Sequence, residues 1–126
     1  EWPKARVCAL AAALAEADGY TAELEPAGGD KDVVLGRPGE PRPHVLVCCV
    51  AGGAGTLPAK RVRELFGTLT ADGVEVGWFV APAGFSTEAR SYAAQHNIRL
   101  FDAEALLAQL RDLPPVVVPQ VLGRLG

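Results

Sequence analysis

A seven-residue run, residues 44–50, constrains the fold of this chain more than any other feature. It reads His-Val-Leu-Val-Cys-Cys-Val, so its last six residues are apolar and three of them are valine. An apolar run rich in β-branched residues, without polar alternation, is typical of a strand buried on both faces of its sheet. A sheet covered on both faces needs a layer of helices on each side. The run therefore predicts an α/β protein with this segment as a central strand.

Apolar periodicity and turn residues predict the elements around this strand. In chain order we expect a helix (3–18), three strands (20–25, 33–36 and 44–50), a helix capped by Thr56 and ended at Gly73, a strand (75–81), a helix capped by Ser86, a strand (98–101) and a helix capped by Asp102. Three successive strands followed by strand–helix alternation predict a mixed sheet with helices on both faces. Residues 1–113 form the expected domain, and the proline-broken segment 114–126 is expected to be a C-terminal tail or linker.

Length and charge restrict the class of protein. The chain has 126 residues, enough for one domain with a hydrophobic core. Its net charge of −3 differs from the basic balance of most nucleic-acid-binding domains, so DNA contact would need a local basic patch. No run of eighteen apolar residues is present, so we expect no membrane contact within this segment. Methionine is absent, even at position 1, so we expect the chain to be a piece of a longer protein.

The three cysteines are Cys8, Cys48 and Cys49. Adjacent cysteines on a strand point to opposite faces, so Cys48 and Cys49 are a poor disulfide pair. The Cys-x-x-Cys spacing of structural zinc sites is absent. We therefore expect reduced thiols in a cytoplasmic protein.

The closing half of the sequence and a few earlier residues resemble a known family. The matching segments are Gly77-Trp78-Phe79-Val80, Gly84-Phe85-Ser86, Glu88-Ala89, Tyr92-Ala93 and residues 97–102, together with Trp2 and the strand that begins at Asp32. Over residues 2–110 this layout is similar to the catalytic domain of Mrr-type restriction endonucleases, a branch of the PD-(D/E)xK nuclease superfamily. The resemblance implies a restriction endonuclease-like, three-layer α/β/α fold around a central mixed β-sheet, in the order α-β-β-β-α-β-α-β-α.

The resemblance also implies a magnesium site that this chain keeps only in part. Asp32 corresponds to the family's first metal ligand, whereas Cys48 and Val50 fall where the family has Gln or Glu and then Lys. Magnesium prefers oxygen ligands, and valine can neither carry charge nor donate a hydrogen bond. Ala5 and Arg6 occupy the family's Phe-Glu positions on the first helix. We therefore expect an inactive site in which Asp32 is vestigial and binds metal weakly, if at all; the alternative is that Asp32 only terminates a turn.

Basic residues on the second helix are the candidate DNA-binding surface. Lys60, Arg61 and Arg63 follow the glycine-rich segment 51–55, and Lys60 and Arg63 share one helix face. The alternative is an ordinary solvated face. Lys60 could also reach back into the cleft to replace the missing catalytic lysine, whereas Lys31 faces away from Asp32 on a strand. The glycine-rich segment lacks the lysine of a phosphate-binding loop, although its amides could still bind an anion.

Two functions from different classes follow from this reading. The first is a catalytically inactive, restriction endonuclease-like domain that acts as a DNA-recognition or protein-interaction module of a larger protein, in defence against foreign DNA if the family setting carries over. The second is an active Mg²⁺-dependent DNA endonuclease with relocated catalytic residues. The first function needs no cofactor and the second needs Mg²⁺. DNA, a protein partner and a second copy of the chain are the partners to consider.

Overall fold

The computed structural model describes residues 2–26 and 31–113. These residues form four helices and five strands: α1 (Lys4–Ala17), β1 (Thr21–Leu24), β2 (Val33–Gly36), β3 (Val45–Cys49), α2 (Ala59–Asp72), β4 (Val76–Val80), α3 (Thr87–Gln95), β5 (Ile98–Phe101) and α4 (Ala103–Asp112). The element order predicted from the sequence is confirmed. The predicted tail, 114–126, lies outside the described residues.

The five strands form one mixed sheet in the order β1-β2-β3-β4-β5. The pairs β1–β2 and β2–β3 are antiparallel, with Val33 opposite Val47. The pairs β3–β4 and β4–β5 are parallel, with Val47 opposite Trp78. β3 is therefore the central strand, as its unbroken apolar run predicted, and both of its edges are occupied by neighbouring strands.

Helices cover both faces of this sheet, which confirms the three-layer prediction. On the face that we call the α1 face, inward residues of the sheet pack with α1 and with Leu106 of α4; those from the first three strands are Val33, Leu35, Val45, Val47 and Cys49. On the opposite face, the α2 face, sheet residues pack with α2 and α3; they include Leu46, Val50, Phe79 and Ile98. Alternate residues of β3 thus enter different cores, because side chains of a strand alternate between faces.

Capping residues define the ends of three helices as the sequence predicted. The Ser86 hydroxyl accepts a hydrogen bond from the Ala89 amide at 3.1 Å, and the Asp102 carboxylate accepts one from the Ala105 amide at 2.8 Å. These bonds satisfy amides that have no partner within the helix. Gly73 ends α2 in the left-handed conformation, at φ 69°, which glycine adopts without steric cost.

The predicted Thr56 cap is wrong. α2 begins at Ala59, and Pro58 occupies the capping position without a side-chain hydrogen bond. The reason is a tertiary contact: Leu57 forms a parallel bridge with Phe85, through its amide to the Gly84 carbonyl and its carbonyl to the Ser86 amide. The bridge keeps Leu57 extended and separates the glycine-rich segment from the helix N-terminus. Within the described ranges, no helix is long and apolar enough to cross a membrane.

Candidate functional site

Asp32 lies directly before β2, where the ladder between β2 and β3 ends. Its carboxylate accepts a hydrogen bond from the Cys49 amide at 2.8 Å, while its own amide donates to the Val47 carbonyl at 2.9 Å. The carboxylate therefore occupies the place of a strand carbonyl and extends the pairing of β3 by one amide. The side chain of Asp32 is 13% exposed, so this bond is shielded from most of the solvent. A charged acceptor in such a place forms a strong hydrogen bond.

Lys4, in the first turn of α1, forms an ion pair with the other oxygen of Asp32. Its ammonium lies 2.9 Å from Asp32 Oδ1, and its side chain is 52% exposed. The hydrogen bond to Asp32 is the main cause that raises the pKa of Lys4, against the opposing effect of partial burial. Both oxygens of the carboxylate are thus engaged, one by an amide and one by an ammonium.

Two thiols complete this cluster. The ligand atoms of Cys8 on α1, Asp32 and Cys49 all lie within 4.8 Å of one another, and both cysteines are buried. A hydrogen bond between the thiols lowers the pKa of Cys8, and the same bond together with burial raises that of Cys49. We call Lys4, Cys8, Asp32 and Cys49 the Asp32 cluster.

The side chains of Cys48 and Val50 do not face Asp32; both pack on the α2 face. Cys48 lines a groove there with Arg61 and Glu64 of α2, and Val50 packs in the hydrophobic core of that face. Burial raises the pKa of Cys48 to about 12, with the Asp32 charge as a lesser cause, so this thiol is protonated near neutral pH. The β3 residue that faces Asp32 is Cys49. The assignment of Cys48 and Val50 to the family's Gln/Glu and Lys positions stays a prediction.

The donor set around Asp32 does not fit Mg²⁺. In the part of the chain that the structure describes, the one group of three or more metal-ligating side chains consists of a carboxylate and two thiols. Magnesium requires near-octahedral oxygen coordination, and thiolates are ligands for softer ions. Glu25 lines the groove beside Asp32, but its carboxylate is not part of that group. No hydrolytic step through a bound magnesium ion can be derived from these residues.

The basic residues of α2 lie on the other side of the sheet from Asp32. Lys60 is exposed in the first turn. Arg61 pairs with Glu64 at 3.3 Å, and the Arg63 guanidinium lies 5.7 Å from the centre of the Tyr92 ring. The replacement of the catalytic lysine by Lys60 stays a prediction; Lys60 lies on α2, which packs on the face opposite Asp32.

The lysine that does meet Asp32 was missed by sequence reasoning, as was Cys8. One signal was available: Lys4 and Cys8 are four residues apart, so they lie on the same face of a helix. What the sequence did not give was the rotation of α1 on the sheet, which directs that face toward Asp32. The expectation that Lys31 faces away is met, since its ammonium pairs with Asp72 of α2 at 3.0 Å.

Solved structures with the same fold include two restriction endonucleases. The DNA modification-dependent restriction endonuclease AspBHI aligns with a TM-score of 0.66 and 18% identity, covering 93% of this chain and 34% of its own. The MspJI restriction endonuclease, in complex with a 27-mer oligonucleotide, aligns with a TM-score of 0.61 and 16% identity, covering 96% and 32%. The chain thus spans about a third of the length of each. The protein of unknown function AF1548 aligns with a TM-score of 0.63 and 21% identity, covering 88% of this chain and 68% of its own.

A family comparison agrees with these folds over most of the sequence. Among curated proteins, none matches this chain. The model of the Mrr catalytic domain, described as restriction endonuclease, matches residues 1–110. The matched range contains every helix and strand from α1 to β5 and most of α4. The chain therefore belongs to the restriction endonuclease family of Mrr-type catalytic domains.

Proposed function

We propose that this domain does not hydrolyse DNA and serves as a DNA-recognition or protein-interaction module of a larger protein. The observation that carries the proposal is the set of donor atoms around Asp32, which does not suit Mg²⁺. The two oxygens of Asp32 bind the Cys49 amide and the Lys4 ammonium, and the remaining ligand atoms nearby are thiols. A carboxylate with these partners stabilises the fold but cannot assemble the oxygen shell that magnesium-dependent hydrolysis needs.

Membership of this family makes DNA the first partner to consider. The basic side chains that would contact DNA lie on α2. Lys60 and Arg63 share a helix face, and both are exposed. Contacts of Lys and Arg with phosphates supply affinity but carry no sequence information. This surface would therefore bind DNA without sequence specificity. A protein partner or a second copy of the chain is the alternative if these residues contact no nucleic acid. A role in defence against foreign DNA extends the family setting and belongs to the same proposal.

The second candidate function is an active Mg²⁺-dependent nuclease with relocated catalytic residues. One observation favours it: an amine, that of Lys4, lies beside Asp32 although β3 has no lysine. In that case Lys4 would supply positive charge at the scissile phosphate in place of a lysine on β3. The missing oxygen ligands argue against this function.

Plasmid cleavage separates the two functions. We expect the purified chain not to nick plasmid DNA in the presence of Mg²⁺ or Mn²⁺. The wild type and Asp32→Ala should therefore leave the same amount of intact plasmid. Metal-dependent cutting that disappears in both Asp32→Ala and Lys4→Ala, but persists in Asp72→Ala, would establish the nuclease and overturn the proposal. Asp72 is a suitable control because it also pairs with a lysine but lies on the α2 face.

DNA binding is tested by its dependence on salt. We expect retention of a DNA duplex that weakens with rising salt and is reduced by the double change Lys60→Glu with Arg63→Glu. The matched control is Arg42→Glu with Arg111→Glu, which changes the net charge equally at exposed positions away from α2. Equal loss in both double variants would show a general charge effect, and no salt-sensitive binding at all would favour the protein-interaction role.

A further inference from the structure

The Asp32 cluster has the composition of a site for a soft or borderline metal ion. Cys8 comes from α1, Cys49 from β3 and Asp32 from the edge of β2, so three separate elements direct their ligand atoms to one point. The separations are all within 4.8 Å. Ligands of a tetrahedral Zn²⁺ lie about 3.5–3.8 Å apart, given metal–ligand distances of about 2.0–2.3 Å. Contraction by about 1 Å, within reach of small side-chain rotations, would bring these atoms to coordination distance.

We propose that Cys8, Asp32 and Cys49 form a Zn²⁺ site whose fourth position opens to the groove beside Lys4. That groove is lined by Lys4, Leu24 and Glu25 in addition to Cys8 and Asp32, so water from the groove can fill the remaining position. Two thiolates and one carboxylate are typical zinc donors, and a site with three protein ligands leaves one exchangeable position.

Charge balance supports this assignment. Two thiolates and a carboxylate carry three negative charges, Zn²⁺ carries two positive charges, and the ammonium of Lys4 at Asp32 supplies one more. The sum is neutral, so a loaded site leaves no net charge in this partly buried place. Formation of the site releases the two thiol protons to solvent and changes no oxidation state.

Zinc binding by these residues requires neither DNA binding nor the absence of DNA cleavage, so it is independent of the proposed function. The donor atoms do not suit the magnesium ion of the family but do suit zinc. The two claims are therefore tested by separate experiments. DNA cleavage in Mg²⁺ would overturn the proposed function, whereas a failed zinc titration would overturn only the zinc site.

The test is a zinc titration of the reduced, full chain against a chromophoric chelator, in a buffer with a non-chelating phosphine reductant. We expect one Zn²⁺ per chain and the release of about two protons per ion near neutral pH. Cys8→Ser and Cys49→Ser should each weaken binding by more than about 100-fold, beyond the range for residues that only support a ligand. The matched control is Cys48→Ser, which changes a thiol on the same strand but on the α2 face.

Substitution with Co²⁺ keeps the test decisive if a cysteine variant does not fold. The wild-type protein should give the near-ultraviolet sulfur-to-cobalt band and the visible bands of tetrahedral Co²⁺, and Asp32→Asn should weaken binding without removing the sulfur band. No stoichiometric zinc uptake, cobalt bound without the sulfur band, or equal loss of affinity in Cys48→Ser and Cys49→Ser would each overturn the site.

Discussion

Removal of the Asp32 carboxylate should destabilise the fold. In Asp32→Ala the Cys49 amide, at the end of the β2–β3 ladder, loses its acceptor, and Lys4 loses its ion pair. Cys49 itself is buried, with 2% exposure, so a replacement acceptor from solvent is largely excluded. A carboxylate that serves structure in this way differs from one kept for catalysis, which commonly costs stability.

The magnitude follows from these two contacts. A shielded amide left without a partner costs about 1–3 kcal/mol. The pair with Lys4 adds less than about 1 kcal/mol, because the lysine side chain is half exposed and screened by solvent. We therefore expect Asp32→Ala to lower the free energy of unfolding by about 1–4 kcal/mol. Asp32→Asn keeps an acceptor for the amide and should cost about 1 kcal/mol.

The measurement is urea-induced unfolding followed by far-UV circular dichroism, on metal-free protein at neutral pH. Asp72→Ala is the control, since it removes an ion pair with Lys31 at the end of α2 but supports no strand amide. We expect the control to change the free energy of unfolding by no more than about 0.5 kcal/mol. An Asp32→Ala protein as stable as the control, or more stable than the wild type, would refute the structural role of this carboxylate.

Two further predictions test the packing of Gly77 against α2 and the ionisation of the half-buried Cys48. Gly77→Ala should lower the free energy of unfolding by about 1–3 kcal/mol, because the new Cβ would lie 2.9 Å from Leu69 Cδ1 and 3.1 Å from Leu65 Cδ2. Gly67→Ala, in α2, should raise the free energy of unfolding by about 0.5–1 kcal/mol, because no atom lies near the added Cβ. Urea unfolding that shows both variants stabilised, or both destabilised, would contradict this packing. Burial raises the pKa of Cys48 from the ordinary thiol value of 9.0 to about 12. The folded state therefore keeps the thiol protonated more strongly than the unfolded state does. This contribution to the free energy of unfolding is fully present below pH 9.0 and is lost as the pH rises toward 12. Unfolding free energies measured across that range should fall less steeply in Cys48→Ala than in the wild type.

Local sequence signals explain why the fold was predicted with few errors. The apolar run of β3, the caps at Ser86 and Asp102 and the stop at Gly73 act on neighbouring residues, so the pattern of side chains is enough to place them. Thr56 was misassigned because a distant bridge between Leu57 and Phe85 overrides the local capping preference.

The sequence alone determined the family, the order of elements and the absence of a lysine from β3. Each of these depends on residue types and their spacing along the chain. Only the tertiary structure decided what surrounds Asp32, because Lys4, Cys8 and Cys49 are far from it in sequence and meet it through the packing of α1 and the pairing of β2 with β3. Side-chain alternation makes a difference of one residue in β3 a change of sheet face, so the thiol beside Asp32 is that of Cys49 and not of Cys48.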